Sequence, residues 1–175
     1  MKKIILLFAL AIFSTFSFAQ SKYGVRAGLN VSNLDYEPGP LFGNTHRNGF
    51  AIGFFAEYGL SESFSISPEI QFSAEGAKEE EHRLDYIQLP VLFKYHFGDK
   101  LSLGAGPMFG LKAWEHEDGY NNFAFSVLGG IEYVITDMFF VDVRYHYGLS
   151  NVIDEDFSSL EATNSNIQFG VGIKI

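Results

Sequence analysis

Three residues in the last third of the chain carry the functional groups of a hydrolytic site. Asp142, His146 and Ser150 are spaced four residues apart, so in an extended strand their side chains share one face. An orienting carboxylate, an imidazole base and a hydroxyl nucleophile make up such sites. Four residues of strand span roughly 13 Å, so His146 and Ser150 cannot contact each other along one strand. We expect no catalytic residue here, and a lipid-modifying enzyme completed from another strand is the alternative.

Acidic segments are the next candidates, because carboxylates bind divalent cations. The chain contains Glu79-Glu80-Glu81-His82, Glu115-His116-Glu117-Asp118 and Asp154-Glu155-Asp156. None of them has the regular ligand spacing of a calcium-binding loop. We expect solvated acidic surfaces and no metal site, with weak cation bridging to lipopolysaccharide as the alternative. No glycine-rich phosphate loop followed by a helix is present either, so the sequence predicts no cofactor.

A larger set of charged residues falls on one face of alternating segments: Arg26, Glu57, Glu69, Lys94, Glu132, Asp142, Arg144 and Lys174. If that face is interior, unpaired charges would be costly there, so they should form hydrogen-bonded pairs. Arg26 with Glu57 and Glu132 with Arg144 are the pairs we expect. The set predicts a polar plug, and a gate or a narrow ion path is the alternative.

Strands must position these side chains, because alternation with a period of two dominates the chain after its first twenty residues. Eight segments show it, namely 23–31, 49–58, 64–73, 86–97, 101–112, 123–134, 139–150 and 166–175. One face of each is rich in Phe, Tyr, Ile, Leu and Val. The other carries Gly, Ser, Ala and the charged residues. The sequence therefore predicts an all-β fold.

Volume decides which face is interior. A soluble barrel of the lipocalin kind would place the apolar face inside. The interior of an eight-stranded barrel is just wide enough for side chains to fill, so it cannot hold so many large apolar groups. The small and charged face must be interior, and the apolar face requires hydrocarbon as its solvent. The predicted fold is an eight-stranded antiparallel up-and-down transmembrane β-barrel.

The connections alternate in length. Short turns are expected at 60–63, 98–100 and 136–138, and long loops at 32–48, 74–85, 113–122 and 151–165. Outer-membrane barrels have short periplasmic turns and long outer loops, so both termini are expected in the periplasm. Aromatic residues near both predicted rims would form interfacial girdles: Tyr58, Phe64, Tyr95, Phe97, Tyr133 and Phe139 at the short turns, and Phe50, Phe72, Phe123 and Tyr147 at the long loops.

The first nineteen residues have the pattern of a cleaved signal peptide. Lys2 and Lys3 precede an apolar run from Ile4 to Phe13, and Ser17-Phe18-Ala19 forms a small-x-small cleavage site. We expect residues 1–19 to be the signal peptide and residues 20–175 to be one barrel domain.

The mature chain is acidic. Removing Lys2 and Lys3 from the 12 basic residues leaves 10 against 21 acidic residues, a net charge of −11, which argues against nucleic acid as a partner. The chain contains no Cys, which excludes a disulfide framework.

Four stretches resemble the family of small outer-membrane barrels described as PorT-like or as outer membrane protein beta-barrel domains. They are Gly24-Val25-Arg26-Ala27-Gly28-Leu29-Asn30, Pro68-Glu69-Ile70-Gln71-Phe72, Ile87-Gln88-Leu89-Pro90-Val91-Leu92-Phe93-Lys94-Tyr95 and Leu103-Gly104-Ala105-Gly106-Pro107. The resemblance spans the mature chain and implies an integral outer-membrane barrel. It does not carry over the founding member's link to protein secretion. The chain departs from the usual pattern by ending on Ile175 rather than on an aromatic residue.

The function predicted from these observations is a structural or surface-interaction barrel with a plugged lumen, contacting partners through its outer loops and above all through residues 34–48. A narrow channel for ions or small solutes and a lipid-modifying enzyme are the alternatives. The expected partners are outer-membrane lipid, lipopolysaccharide and the barrel assembly machinery, with a possible surface partner.

Overall fold

Eight antiparallel strands form a closed barrel in the computed structural model, which describes residues 21–37, 39, 45–114, 119–154 and 160–175. The strands are β1 (Ser21–Glu37), β2 (Arg47–Gly59), β3 (Phe64–Gly76), β4 (Arg83–Phe97), β5 (Leu101–Lys112), β6 (Phe123–Val134), β7 (Phe139–Gly148) and β8 (Glu161–Lys174). A short 3-10 helix at Glu80–His82 precedes β4. The predicted fold is thereby confirmed. No helix among the described residues has the length and apolar character needed to span a bilayer.

Each strand pairs with its neighbours in sequence, and β8 pairs with β1 to close the barrel. At the seam, Tyr23 donates its backbone N–H to the carbonyl of Ile175 at 2.9 Å, and Ile175 donates back to Tyr23 at 2.8 Å. A closed ladder leaves no exposed sheet edge at this level, and the backbone polar groups are satisfied without water.

Two ends of the barrel can be distinguished by their connections. The short-turn end carries the turns 60–63, 98–100 and 135–138, and the long-loop end carries the connections 38–46, 77–82, 113–122 and 149–160. At the short-turn end, Gly98 adopts a φ of +68°, a backbone conformation that favours glycine. Ser61 caps the first short turn, where its hydroxyl accepts the backbone N–H of Phe64 at 3.1 Å.

A belt of apolar side chains covers the outside of the barrel. Large side chains on this face are exposed, among them Leu29, Phe54, Leu89, Ile131 and Val171. Aromatic rings pair across strands at both borders. Phe64 and Tyr95 lie 4.9 Å apart by ring centroids at the short-turn border, and Phe50 and Phe72 lie 5.6 Å apart at the long-loop border. We call this surface the lipid-facing belt.

Five strands extend further toward the long-loop end than the alternation predicts, β2 among them, which begins at Arg47 rather than at residue 49. β1 continues to Glu37, β3 to Gly76, and β4 and β8 begin at Arg83 and Glu161, so the loops expected at 32–48, 74–85 and 151–165 are shorter than predicted. At the same end, β7 stops at Gly148, two residues earlier than expected.

Inverted polarity in the extensions explains the difference. In β1 the outward residues change from Leu29 and Val31 to Asp35 and Glu37, while the inward Leu34 is fully buried. The barrel wall therefore continues above the lipid-facing residues, with polar residues outside and apolar residues inside, as in a water-soluble sheet. A search for outward apolar residues cannot recognise such a segment as a strand.

Apolar residues close the barrel at the long-loop end. The cluster comprises Leu34, Ala77, Leu84, Tyr86, Tyr120, Val152, Ile153 and Ala162, and we call it the apolar cap. Tyr120 and Ile153, from two different long loops, form an isolated antiparallel bridge. The described parts of these loops therefore fold over the lumen.

Candidate functional site

The lumen is the candidate site, because it contains all eight charged residues singled out in the sequence. Alternation along the strands turns each of them inward, and each is buried, with exposures of 3 to 7%. Small residues on the same faces make room for larger groups. Gly24 and Gly172, for example, lie directly against the rings of Phe55 and Phe140, where a Cβ would overlap the ring. Those two rings meet edge to face in the lumen with centroids 5.6 Å apart.

One cluster of charges lies next to these rings, toward the short-turn end. Lys94 Nζ donates to Glu57 Oε2 at 2.8 Å and to Glu132 Oε2 at 2.9 Å. Lys174 Nζ donates to the same two carboxylates, at 3.3 Å to Glu57. Each ammonium also lies over a ring, Lys94 over Phe55 and Lys174 over Phe140. Two cations and two anions thus form a closed square that links β2, β4, β6 and β8.

A second cluster of charges contains two arginines. Arg26 forms two parallel hydrogen bonds to Asp142, of 2.7 and 2.5 Å, and donates to Gln168 Oε1 at 2.8 Å. Arg144 binds Glu69 through two bonds of 2.7 and 3.0 Å, and its Nε lies 3.5 Å from Asp142. Bidentate pairs of this kind fix the guanidinium plane as well as its charge. Together the two clusters contain four positive and four negative groups.

The pairs expected from the sequence differ from those in the structure. Arg26 pairs with Asp142 rather than with Glu57, and Arg144 pairs with Glu69 rather than with Glu132. Strand tilt and stagger determine which inward residues share a level, and a linear sequence does not specify either. The pair between Arg144 on β7 and Glu69 on β3 therefore spans the lumen, which reasoning from charge alone could not identify.

A layer of amides and one carboxylate lies beyond the arginines, toward the apolar cap. Glu75 accepts hydrogen bonds from Ser73 at 2.6 Å, Gln88 at 2.9 Å, Asn166 at 3.0 Å and Asn164 at 2.5 Å. The sequence reasoning missed Glu75 because it ended the third strand at Ser73. Continuing the alternation by two residues would have placed it on the lumen face.

Little space remains among these layers. Two small cavities of about 10 Å³ each lie in the lumen, one beside Lys94 and Arg144 and the other beside Glu75 and Gln88. A larger vestibule of about 730 Å³ opens at the short-turn end, lined by Lys22, His96 and Asp99 and, on its lumen side, by Glu57, Phe140 and Lys174. The vestibule shares no lining residue with either small cavity.

Comparison with known proteins decides the family. The model of the family described as "Outer membrane protein beta-barrel domain" matches residues 18–154, which is most of the chain. The chain belongs to this family of outer-membrane barrels. No curated protein matches it at a significant level.

Solved structures agree with the fold. Ail, the attachment invasion locus protein of Yersinia pestis, is 12% identical, with a TM-score of 0.57 over 89% of this chain and 99% of Ail. Neisserial surface protein A is 13% identical, with a TM-score of 0.58 over 87% of this chain and 97% of that protein. These identities support a shared barrel architecture and no more. The family places this protein in the outer membrane, as the sequence predicts.

Asp142, His146 and Ser150, the three residues that suggested hydrolysis, form no hydrogen bonds with one another. Asp142 is bound to Arg26, and the Ser150 hydroxyl accepts the backbone N–H of Phe125 at 2.9 Å. His146 is buried in the lumen, and neither of its ring nitrogens forms a hydrogen bond. The trio therefore has no relay that could activate a nucleophile.

The acidic segments can be followed in part. Glu79 to His82 lie on the loop before β4, whereas residues 115–118, 155 and 156 lie outside the described residues. Within the described part of the chain, no group of three or more His, Cys, Asp or Glu side chains is arranged to hold a metal ion.

Proposed function

We propose that this outer-membrane barrel is non-conducting and acts through its long-loop end, as a structural element and a surface for extracellular contacts. The observation that carries the proposal is the filled lumen. Two charge clusters, an amide layer and the apolar cap follow one another between the vestibule and the long loops. A hydrated ion would have to displace several of these layers to cross.

Conductance across planar bilayers tests the proposal. Purified protein should give no steady openings at moderate voltage. A variant that hollows the lumen, Glu69→Ser with Arg144→Ser, removes one cross-lumen pair and serves as the positive comparison. Steady openings of the unmodified barrel at the frequency of the hollowed variant would contradict a plugged lumen.

A narrow channel is the second candidate, and the vestibule favours it. Its volume of about 730 Å³ would give solutes an entrance at the short-turn end, and the lysine-carboxylate square at its lumen side could act as a gate. Voltage-dependent openings abolished by Gly104→Phe would support this candidate, since the added ring would fill lumen space beside Leu92 and Lys94.

The proposal includes a topology. Residues 1–19 act as a cleaved signal peptide, the short-turn end and both termini face the periplasm, and the barrel assembly machinery inserts the chain. Single cysteines test this in a chain that contains none. A membrane-impermeant maleimide on intact cells should label Lys78→Cys in a long loop and spare Lys100→Cys in a short turn. The reverse pattern would overturn the topology.

Two finer assignments belong to the same proposal. PorT-like membership within the family is supported by the four sequence stretches noted above and carries no link to secretion. We also propose that the protein is not an enzyme, supported by the lack of hydrogen bonds joining Asp142, His146 and Ser150 to one another. An altered lipid A profile in a deletion strain, restored by the unmodified gene and not by a His146→Phe variant, would contradict this.

A further inference from the structure

The exterior basic residues of the long-loop end converge on one groove. Of the ten Lys and Arg residues after residue 20, five are buried in the lumen: Arg26, Lys94, Lys112, Arg144 and Lys174. Lys22 and Lys100 lie at the short-turn end. The remaining three, Arg47, Lys78 and Arg83, line the same groove together with His46. In a strongly acidic chain, this grouping is the one basic surface at that end of the described structure.

The groove lies directly above the lipid-facing belt. It has a volume of about 510 Å³ and crosses the ends of β2 and β3, where Asn48, Gly49, Phe50 and Ala74 complete its lining. The Phe50 ring packs on Phe72 at the long-loop border of the belt. The groove is therefore continuous with the surface that meets acyl chains, at the level where lipid headgroups begin.

The acidic side chains nearby lie outside the groove, although two of them contact its arginines. The Thr45 hydroxyl donates to Glu79 at 3.0 Å, and the pKa of Glu79 lies below its ordinary value because its carboxylate accepts its own backbone N–H and then the Thr45 hydroxyl. Asp85 is held by Arg47 at 2.9 Å, while the Glu80–Arg83 contact of 3.3 Å is exposed and therefore weak. None of the described acidic residues lines the groove.

The available donors suit a phosphate group. Lys78 and Arg83 are exposed, and no ion pair among the described residues holds Lys78. An ammonium beside a guanidinium offers charge-assisted hydrogen bonds to phosphate oxygens. His46 is exposed and lines the same groove, and Arg47, already held by Asp85, contributes its positive charge.

We propose that this groove binds the phosphorylated headgroup of an outer-membrane lipid, lipid A, with an acyl chain running down past Phe50 and Phe72. The occupant follows from the continuity of the groove with the lipid-facing belt and from the charge of its lining. The inference rests on the outer-membrane location and on the proposed topology, because lipid A lies in the outer leaflet. It does not depend on conduction or on a protein partner at the loops.

Binding of lipid A to the purified barrel in detergent micelles tests the site. Native mass spectrometry would count bound lipid during titration with bis-phosphorylated and with fully dephosphorylated lipid A. The variant Lys78→Ser/Arg83→Ser should bind the phosphorylated lipid at least about tenfold more weakly, the loss expected for one charge-assisted hydrogen bond. The matched control, Lys22→Ser/Lys100→Ser, removes two exterior charges at the other end and should bind like the unmodified protein.

Three results would overturn the proposal. Equal weakening in the groove and control variants would show unspecific charge attraction. Equal binding of dephosphorylated lipid would remove phosphate as the recognised group, and displacement by millimolar inorganic phosphate would assign the site to a free anion. Heat-dependent gel mobility shows whether each variant folds, and Lys78→Gln alone is the milder substitution if the double variant does not. In a detergent micelle both ends of the barrel are accessible to added lipid, so this binding measurement does not depend on the proposed topology.

Discussion

Arg144 and Glu69 show how the lumen satisfies charge without water. Their two hydrogen bonds, of 2.7 and 3.0 Å, join strands on opposite sides of the barrel, and both side chains are almost fully buried. A buried pair of this kind adds little net stability over a well-packed apolar pair, but removal of one partner leaves an uncompensated charge. The contribution of each residue therefore depends on the presence of the other.

A double-mutant cycle would measure this dependence. Glu69→Gln should lower the free energy of unfolding by about 3 kcal/mol, because the Arg144 charge loses its carboxylate. Glu69→Gln with Arg144→Met should recover at least half of that loss. Urea unfolding in lipid vesicles, followed by Trp114 fluorescence, provides the measurement. Glu62→Gln in an exposed turn is the control, and additive losses in the double variant would contradict the coupling.

Within a single strand, the outward residues lie at different depths in the bilayer. β6 presents Phe123, Val127 and Tyr133 to the outside, with Val127 near the middle and Phe123 at the long-loop border. The inward Ser126, next to Val127, is buried. Alternation and depth together determine which solvent each residue meets.

Arginine substitution tests the depth of the belt. Val127→Arg should cost about 2–4 kcal/mol in unfolding free energy because it places a charge near the bilayer midplane. Phe123→Arg, on the same strand and face, should lose only about 1 kcal/mol from its charge, since it lies near the interface. Equal charge penalties, after correction with Val127→Ala and Phe123→Ala, would place the bilayer elsewhere.

In the strand extensions the inward residues are apolar and the outward residues are polar, the reverse of the membrane-spanning part. Two neighbouring residues of β1, Leu34 and Asp35, allow a test of this arrangement. Leu34→Ala should destabilise the protein by about 2–4 kcal/mol, because it opens a cavity in the apolar cap. Asp35→Ala, one residue further and outward, should cost less than about 1 kcal/mol, because the hydrogen bonds that its carboxylate accepts from Asn33 and Ser165 are exposed to water. Vesicle-based unfolding of both variants checks the result. A larger loss at Asp35 than at Leu34 would reverse the assignment of faces.

These elements also show how far the sequence could predict the fold. Period-two alternation located all eight strands and their faces, because the lipid-facing belt demands apolar residues at every second position. It failed beyond Val31, where the outside of β1 meets water and Leu34 enters the apolar cap. The lumen charges were identifiable as a set, but the partner of Arg144 depends on strand stagger, and the groove at Lys78 depends on the folding of a loop.

For the whole molecule, the closed hydrogen-bond ladder and the packed lumen should make unfolding cooperative. Unboiled protein in detergent should migrate faster on a gel than boiled protein, since the closed barrel stays compact. Deleting residues 161–175 removes β8 and with it the pairing partner of β1. That truncated chain should show one mobility with or without heating. A heat-dependent shift in the truncated chain would argue against closure through β1 and β8.

The seam between Tyr23 and Ile175 has a consequence for the order of the chain. Because these residues exchange backbone hydrogen bonds, the first and last strands lie side by side, roughly 5 Å apart. A linker of a few glycines could therefore join residue 175 to residue 21, and a new start could be cut in the turn at residues 98–100. Such a circular permutant should refold into the same cylinder, because the architecture depends on which strands are neighbours and not on where translation begins.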